Sequence, residues 1–224
     1  MPRRPRFCAG GYLFHVFNRA VGRQRLFAKE ADYLSFENVL REALERQPTR
    51  LLSYCVMPKH WHMVIWPRQD GELSQFLRWL TVTHTQRSHA QRRTAGTGPL
   101  YSGRFKSFPI QADVHLQTVC RYVERSALRA NLVESAEEWR WSSLWQRENN
   151  NKVGWLDTWP VRRRSKWLAY VNGAEPEAEV AALQECVKRG APYGDAAWTV
   201  ATAEILGLES SLRPRGRPRK PLEE

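Results

Sequence analysis

Met57-Pro58-Lys59-His60-Trp61-His62-Met63-Val64-Ile65-Trp66 is the stretch on which the reading of this chain turns. An apolar run with two tryptophans and two β-branched residues predicts a buried strand over His60–Trp66. On a strand, residues two apart share a face, so His60 and His62 project together while Trp61 and Met63 point the other way. Paired imidazoles on a rigid strand can hold one divalent cation. Two partly buried histidines bonded to neighbours give the same pattern, and the pair alone leaves both readings open.

Outward from this strand the pattern stays regular. Leu51–Met57 is a second apolar strand, joined to the first through a turn at Pro58. Upstream, Tyr12–Phe17 (YLFHVF) is strand-like. Glu30–Arg46 carries Tyr33, Phe36, Val39, Leu40 and Leu44 at helical spacing, and Pro48 closes it. Downstream, Leu73 to Ala90 is a helix with Phe76, Leu77 and Leu80 on one side. Tyr101–Ile110 is partly strand, and Asp113–Ala130 is a helix with Asp113 as its cap. The order β-α-β-β-α-β-α predicts an α+β fold, a ferredoxin-like antiparallel sheet with packed helices.

Composition shifts at Glu148-Asn149-Asn150-Asn151-Lys152. We expect a core over 1–148, a helical extension over 149–212 and a basic tail over 213–224. The extension holds two helical patterns, Glu177–Arg189 and Asp195–Leu206. In the tail, Arg215, Arg217, Arg219 and Lys220 alternate with Gly216 and Pro218, which exclude helix. Arg215-Gly216-Arg217-Pro218 matches the AT-hook core, whose arginines enter narrow A·T minor grooves. A nonspecific basic tail is the other reading.

The formal charge of +12 and pI near 10.0 favour an anionic partner, and nucleic acid is the commonest for a basic chain. Arg19, Arg23 and Arg25 lie on the first loop, and Arg87, Arg92 and Arg93 end the second long helix. With Arg104, Lys106, Arg125 and Arg129 they form a candidate DNA track, in which phosphate contacts position without reading sequence. No run of 18 apolar residues exists to span a bilayer. The N-terminal MPRRPRFCAGG lacks the apolar stretch of a secretory signal. Cys8, Cys55, Cys120 and Cys186 are scattered, which argues against a zinc knuckle or disulfide framework and fits a reducing cytoplasm.

A helical wheel over His115–Arg129 gathers Leu116, Cys120, Val123 and Ala127 into a core stripe. His115, Thr118, Tyr122, Ser126 and Arg129 fall on a separate face. Tyr122 and Ser126 are one turn apart and hence neighbours. Tyr122 is therefore a candidate nucleophile, or else an amphipathic tyrosine at the rim of the core.

Four segments join these signals: Phe14-His15-Val16-Phe17-Asn18-Arg19, Tyr54 to His62, Gly103-Arg104-Phe105-Lys106-Ser107-Phe108-Pro109-Ile110 and Arg121 to Val133. In content, order and spacing they resemble the REP-associated tyrosine transposases, bacterial relatives of the single-tyrosine HUH transposases. The resemblance runs from about residue 10 to 145. It implies that His60 and His62 hold Mg²⁺ or Mn²⁺ and that Tyr122 attacks a phosphate of single-stranded DNA. That step would leave a 5′-phosphotyrosine and a free 3′-OH, so that the strand can be rejoined. The tyrosine follows the histidines, which is the transposase order. The implied substrates are palindromic repeats that fold into hairpins, and the implied setting is the bacterial cytoplasm and nucleoid.

The chain departs from that family where an amide side chain usually completes the metal site. Here the residue is Ser126, a shorter and poorer ligand for a hard cation. Asn131 cannot replace it, lying about 140° round the wheel. A lesser departure is Lys59, where Asn is usual. The rival expectation is therefore a domesticated hairpin-binding protein that keeps the fold but cuts weakly or not at all. A phosphodiesterase without a covalent step is a third.

Overall fold

The computed structural model describes residues 8–22, 24–149 and 154–213. Four strands form one sheet: β1 (Leu13–Arg19), β2 (Arg50–Met57), β3 (His60–Trp66) and β4 (Lys106–Ile110). Their spatial order is β2-β3-β1-β4 and every pairing is antiparallel. This is the ferredoxin-like arrangement expected from the element order. The β2–β3 hairpin turns over Pro58-Lys59, with Met57 opposite His60. Its carbonyls hold the first loop, Pro58 accepting from the Phe27 amide and Lys59 from that of Ala20.

Alternation divides the sheet into two faces. Phe14, Val16, Tyr54, Val56, Trp61, Met63 and Ile65 point to one side. There they pack against α1 (Glu30–Arg46) and α2 (Glu72–Arg92). The opposite face carries Leu13, His15, Phe17, Cys55, Met57, His60, His62, Val64, Phe108 and Ile110. It is covered by α3 (Val114–Glu124), whose Leu116, Val119, Cys120 and Val123 are buried in a second core. Asp113 caps α3 by accepting from the His115 amide at 2.8 Å.

Two expectations for this helix are corrected. It does not run to Ala130: α3 ends at Glu124, and a separate turn, α4 (Ser126–Arg129), follows. The Tyr122 carbonyl is bonded by the Ser126 hydroxyl and the Arg129 guanidinium, each at 3.0 Å, rather than continuing a regular ladder. Side-chain competition of this kind bends helices. Tyr122 is also not at a rim; it is 7% exposed and belongs to the second core. A wheel sees one partner surface, whereas α3 is enclosed by the sheet below and by later helices above.

The helices that share its core are α5 (Ser143–Glu148), α6 (Trp167–Asn172) and α7 (Glu177–Arg189); α8 (Ala196–Ile205) and α9 (Glu209–Leu212) follow in the chain. Gly190, in the left-handed region at φ 75°, stops α7, where a side chain would be strained. Trp167, Val171, Leu183 and Cys186 add to the core over α3. Arg121 donates to the carbonyls of Gly173 and Ala174, and Arg125 to those of Val171 and Asn172. Among the described residues no helix is long and apolar enough to cross a membrane. The tail positions Arg215, Arg217, Arg219 and Lys220, and Arg23 on the first loop, lie outside the described residues.

Candidate active site

His60 and His62 share the α3 face of the sheet, with ring centroids 4.9 Å apart. Trp61 between them is fully buried on the other side. Its Nε1 donates to the Tyr101 hydroxyl at 3.1 Å, which lies 2.6 Å from His84 Nδ1. This anchor fixes the strand from beneath while both imidazoles face α3.

Tyr122 comes from α3 onto the same side. Its ring centroid lies 5.8 Å from that of His62. Among the described residues its hydroxyl makes no hydrogen bond, so the oxygen is available to a substrate. The Arg129 guanidinium lies over the Tyr122 ring at 3.9 Å. Glu175, nearly buried between α6 and α7, binds Arg129 through both oxygens at 2.9 and 3.2 Å and also approaches Arg125 at 3.4 Å.

The electrostatics separate the rings from the phenol. Burial pushes the His60 imidazole down to about 4, helped by the cationic Arg129 and Arg19. Burial and then the neighbouring His60 hold His62 well below its usual value. Both are therefore neutral near pH 7, the form that ligates metals. Burial raises the Tyr122 hydroxyl; Arg129 opposes this, and Glu175 adds to it. The phenol is thus protonated at neutral pH and needs help to become a nucleophile.

Ser126 stands one turn from Tyr122, as the spacing required, but its hydroxyl is engaged. It donates to the Tyr122 carbonyl at 3.0 Å and accepts from Arg129 Nη2 at 3.1 Å. Among the described residues no group of three or more His, Cys, Asp or Glu gathers to hold a metal ion. Two neutral imidazoles still fit a divalent cation that fills its remaining positions with water and phosphate oxygens. Imidazole nitrogens are donors that divalent transition ions accept, and a pair of them leaves further positions of the ion open.

The candidate DNA-contacting residues differ in their surroundings. Arg87 forms a bidentate pair with Glu42, at 2.6 and 2.8 Å. Arg92 holds the carbonyls of Arg25 and Leu26 and reaches Asp32. Arg125 and Arg129 are tied to α6 and Glu175 as described. Arg25, Arg93, Arg104 and Lys106 are exposed. Arg19, at the end of β1 opposite His60, lines a cleft of about 740 Å³ with Arg104 and Lys106. Lys188 and Arg189 of α7 form its other wall. Those two lie about 80 positions further along the chain, and sequence reasoning missed them.

His15 was also missed as a site residue. It is 1% exposed, and its Nε2 lies 2.9 Å from His62 Nδ1. Its signal was present: in Leu13-Phe14-His15-Val16-Phe17 a histidine takes an inward-facing position of a buried strand.

The geometry can be set beside known proteins. A sequence family described as IS200-like transposases matches residues 9–126, more than half of the chain, from ahead of β1 through Ser126. No curated protein matches the chain. Among solved structures, one described as a REP-associated tyrosine transposase bound to a REP hairpin resembles it with a TM-score of 0.55 at 17% identity. The likeness covers 79% of this chain and 92% of the other. At that identity it establishes a shared fold.

Proposed function

The chain belongs to the IS200-like transposase family, and on that premise we propose that it nicks and rejoins single-stranded DNA through a 5′-phosphotyrosine at Tyr122. The observation that carries this reading is the phenol of Tyr122, without a hydrogen bond among the described residues and facing the His60–His62 pair across 5.8 Å between the Tyr122 and His62 rings. In the step proposed, the Tyr122 oxygen attacks phosphorus and the bond from phosphorus to the 3′ oxygen breaks. The phenol proton leaves to water and the departing 3′ oxygen takes one up. Arg129, stacked on the ring, positions the phenol and counters the rise in its pKa. His60 and His62 would hold Mg²⁺ or Mn²⁺, which when bound supplies charge stabilisation at the phosphate. Ser126 is at most a weak or water-mediated third ligand.

The substrate proposed is a hairpin formed by palindromic repeats, which presents an unpaired strand. The family-like segments from Phe14 to Val133 support it, as does the fold shared with the hairpin-bound structure. Arg19, Arg104 and Lys106 would lead that strand toward His60. The division into a core to residue 148, an extension over 149–212 and a basic tail over 213–224 belongs to the same proposal. So does an intracellular setting beside bacterial DNA.

The test is trapping. Hairpin oligonucleotides flanked by single strands are incubated with the protein and Mn²⁺, then resolved under denaturing conditions. A DNA–protein adduct mapped to Tyr122 is expected. The engaged hydroxyl of Ser126 favours a second reading, a hairpin-binding protein that does not cut. Tight binding of host repeats without any adduct would select it.

A further inference from the structure

His15 lies on β1, in register with Phe108 of β4 and Val64 of β3. It stacks on Phe108 with centroids 4.7 Å apart, and the Tyr122 ring stands edge-on to it. These surroundings are aromatic, and a phenylalanine would satisfy them. Its Nδ1 is buried with no hydrogen-bond partner among the described residues. A polar ring with an orphaned nitrogen is costly in such a place. Among the described residues its one polar contact is Nε2 to His62 Nδ1, at 2.9 Å.

Two neutral imidazoles sharing one hydrogen bond have two arrangements. In the first, His15 donates from Nε2. His62 then accepts on Nδ1 and carries its hydrogen on Nε2, leaving no lone pair for a cation. In the second, His62 donates from Nδ1, its Nε2 lone pair is open, and His15 carries its own hydrogen on the buried Nδ1. Only the second is compatible with His62 as a ligand. His15 itself joins no group able to cage a metal ion among the described residues. It can act only through His62.

We propose that His15 is a positioning residue that accepts a hydrogen bond from His62 Nδ1 and thereby holds His62 in the tautomer whose Nε2 ligates a divalent cation. Orienting partners of this kind usually govern both the ring angle and the tautomer of metal-binding histidines. The identity of the cation rests on the nuclease reading above; the tautomer does not.

The experiment has two readouts on the full chain. Long-range proton–nitrogen NMR reports the tautomer of His62 in the free protein and with Mg²⁺. Calorimetry reports the affinity for Mn²⁺ without DNA. In the wild type, His62 is expected to carry its hydrogen on Nδ1. His15→Phe keeps the stacked ring but removes the acceptor. It is expected to release His62 to the Nε2–H form and weaken Mn²⁺ binding by about 10- to 100-fold. His15→Gln, whose carbonyl oxygen can accept at a similar reach, is expected to recover most of the loss. A wild-type His62 in the Nε2–H form overturns the inference, as does a folded His15→Phe variant that binds Mn²⁺ like the wild type. If the wild type binds no Mn²⁺, the nuclease reading fails, and the tautomer in the free protein alone decides the role of His15.

Discussion

Tyr122 and Glu124 lie two residues apart on α3, both buried, and the fold treats them in opposite ways. The Glu124 carboxylate is 0% exposed. One oxygen accepts from Ser53, Ser143 and Arg147, at 3.3, 2.6 and 3.1 Å, and the other from Trp167 Nε1 at 2.7 Å. It joins β2, α3, α5 and α6, and its charge is balanced by Arg147 at 3.1 Å. The Tyr122 hydroxyl makes no such bond. Two residues on a helix differ by about 200°, so Glu124 faces the joint between elements while Tyr122 faces the histidines. A saturated buried polar group serves the structure; an unsaturated one beside neutral imidazoles is what the proposed chemistry uses.

The largest expected effect breaks the comparison on the Tyr122 side. Tyr122→Phe removes the phenol oxygen proposed as nucleophile and nothing else, so the DNA adduct should vanish in denaturing gels. Stability should move by less than about 1 kcal/mol, because no internal hydrogen bond is lost. A large drop in the unfolding midpoint would mean that the hydroxyl is structural after all.

Glu124→Ala tests the other side. Removing one partner of a buried, paired carboxylate leaves Arg147 uncompensated and should cost about 3–5 kcal/mol in urea unfolding. A cost below about 1 kcal/mol would show that the joint is not held by charge.

Next in size is the response to acid. His15 and His84 are pushed down to about 3 and His60 to about 4, burial being the first cause in each. The unfolded chain therefore takes up protons below about pH 6.5 that the native rings refuse until about pH 3–4. Stability should be full above pH 6.5 and fall as pH falls, by about 2 kcal/mol per histidine at pH 5. His84 lies beneath Trp61, away from the face that carries His60 and His62. His84→Gln should flatten the slope between pH 6.5 and 4.5, and an unchanged slope would contradict the assignment.

The smallest effect sharpens the reading of Ser126. Ser126→Asn supplies a carbonyl oxygen one turn from Tyr122, if the amide can displace the contact with Arg129. Cleavage is then expected to saturate at roughly tenfold lower Mn²⁺, about 1.4 kcal/mol, with hairpin affinity unchanged. An unaltered Mn²⁺ requirement in a protein that already cuts would mean that water completes the site.

Much of this was legible beforehand. The apolar run after His60 gave a strand, and its period of two placed both histidines on one face. Asp113 announced the start of α3. The end of that helix was not legible, because the break depends on the Ser126 hydroxyl and the Arg129 guanidinium competing for the Tyr122 carbonyl. Nor could a wheel tell that the face carrying Tyr122 and Arg129 would be covered by Glu175, 46 residues beyond Arg129.

Local periodicity by itself determined the faces of the strands and the His60–His62 pair, because side-chain direction in a strand or helix follows from neighbours a few residues away, and the order of elements implied the antiparallel sheet. Tertiary structure alone decided what those faces meet. His15 reaches His62 only through the β1–β3 register, and Glu175 reaches Arg129 only because α6 and α7 fold back over α3. Each of these contacts joins residues far apart in sequence, and their approach is set by how elements cross and pack, which no local pattern encodes.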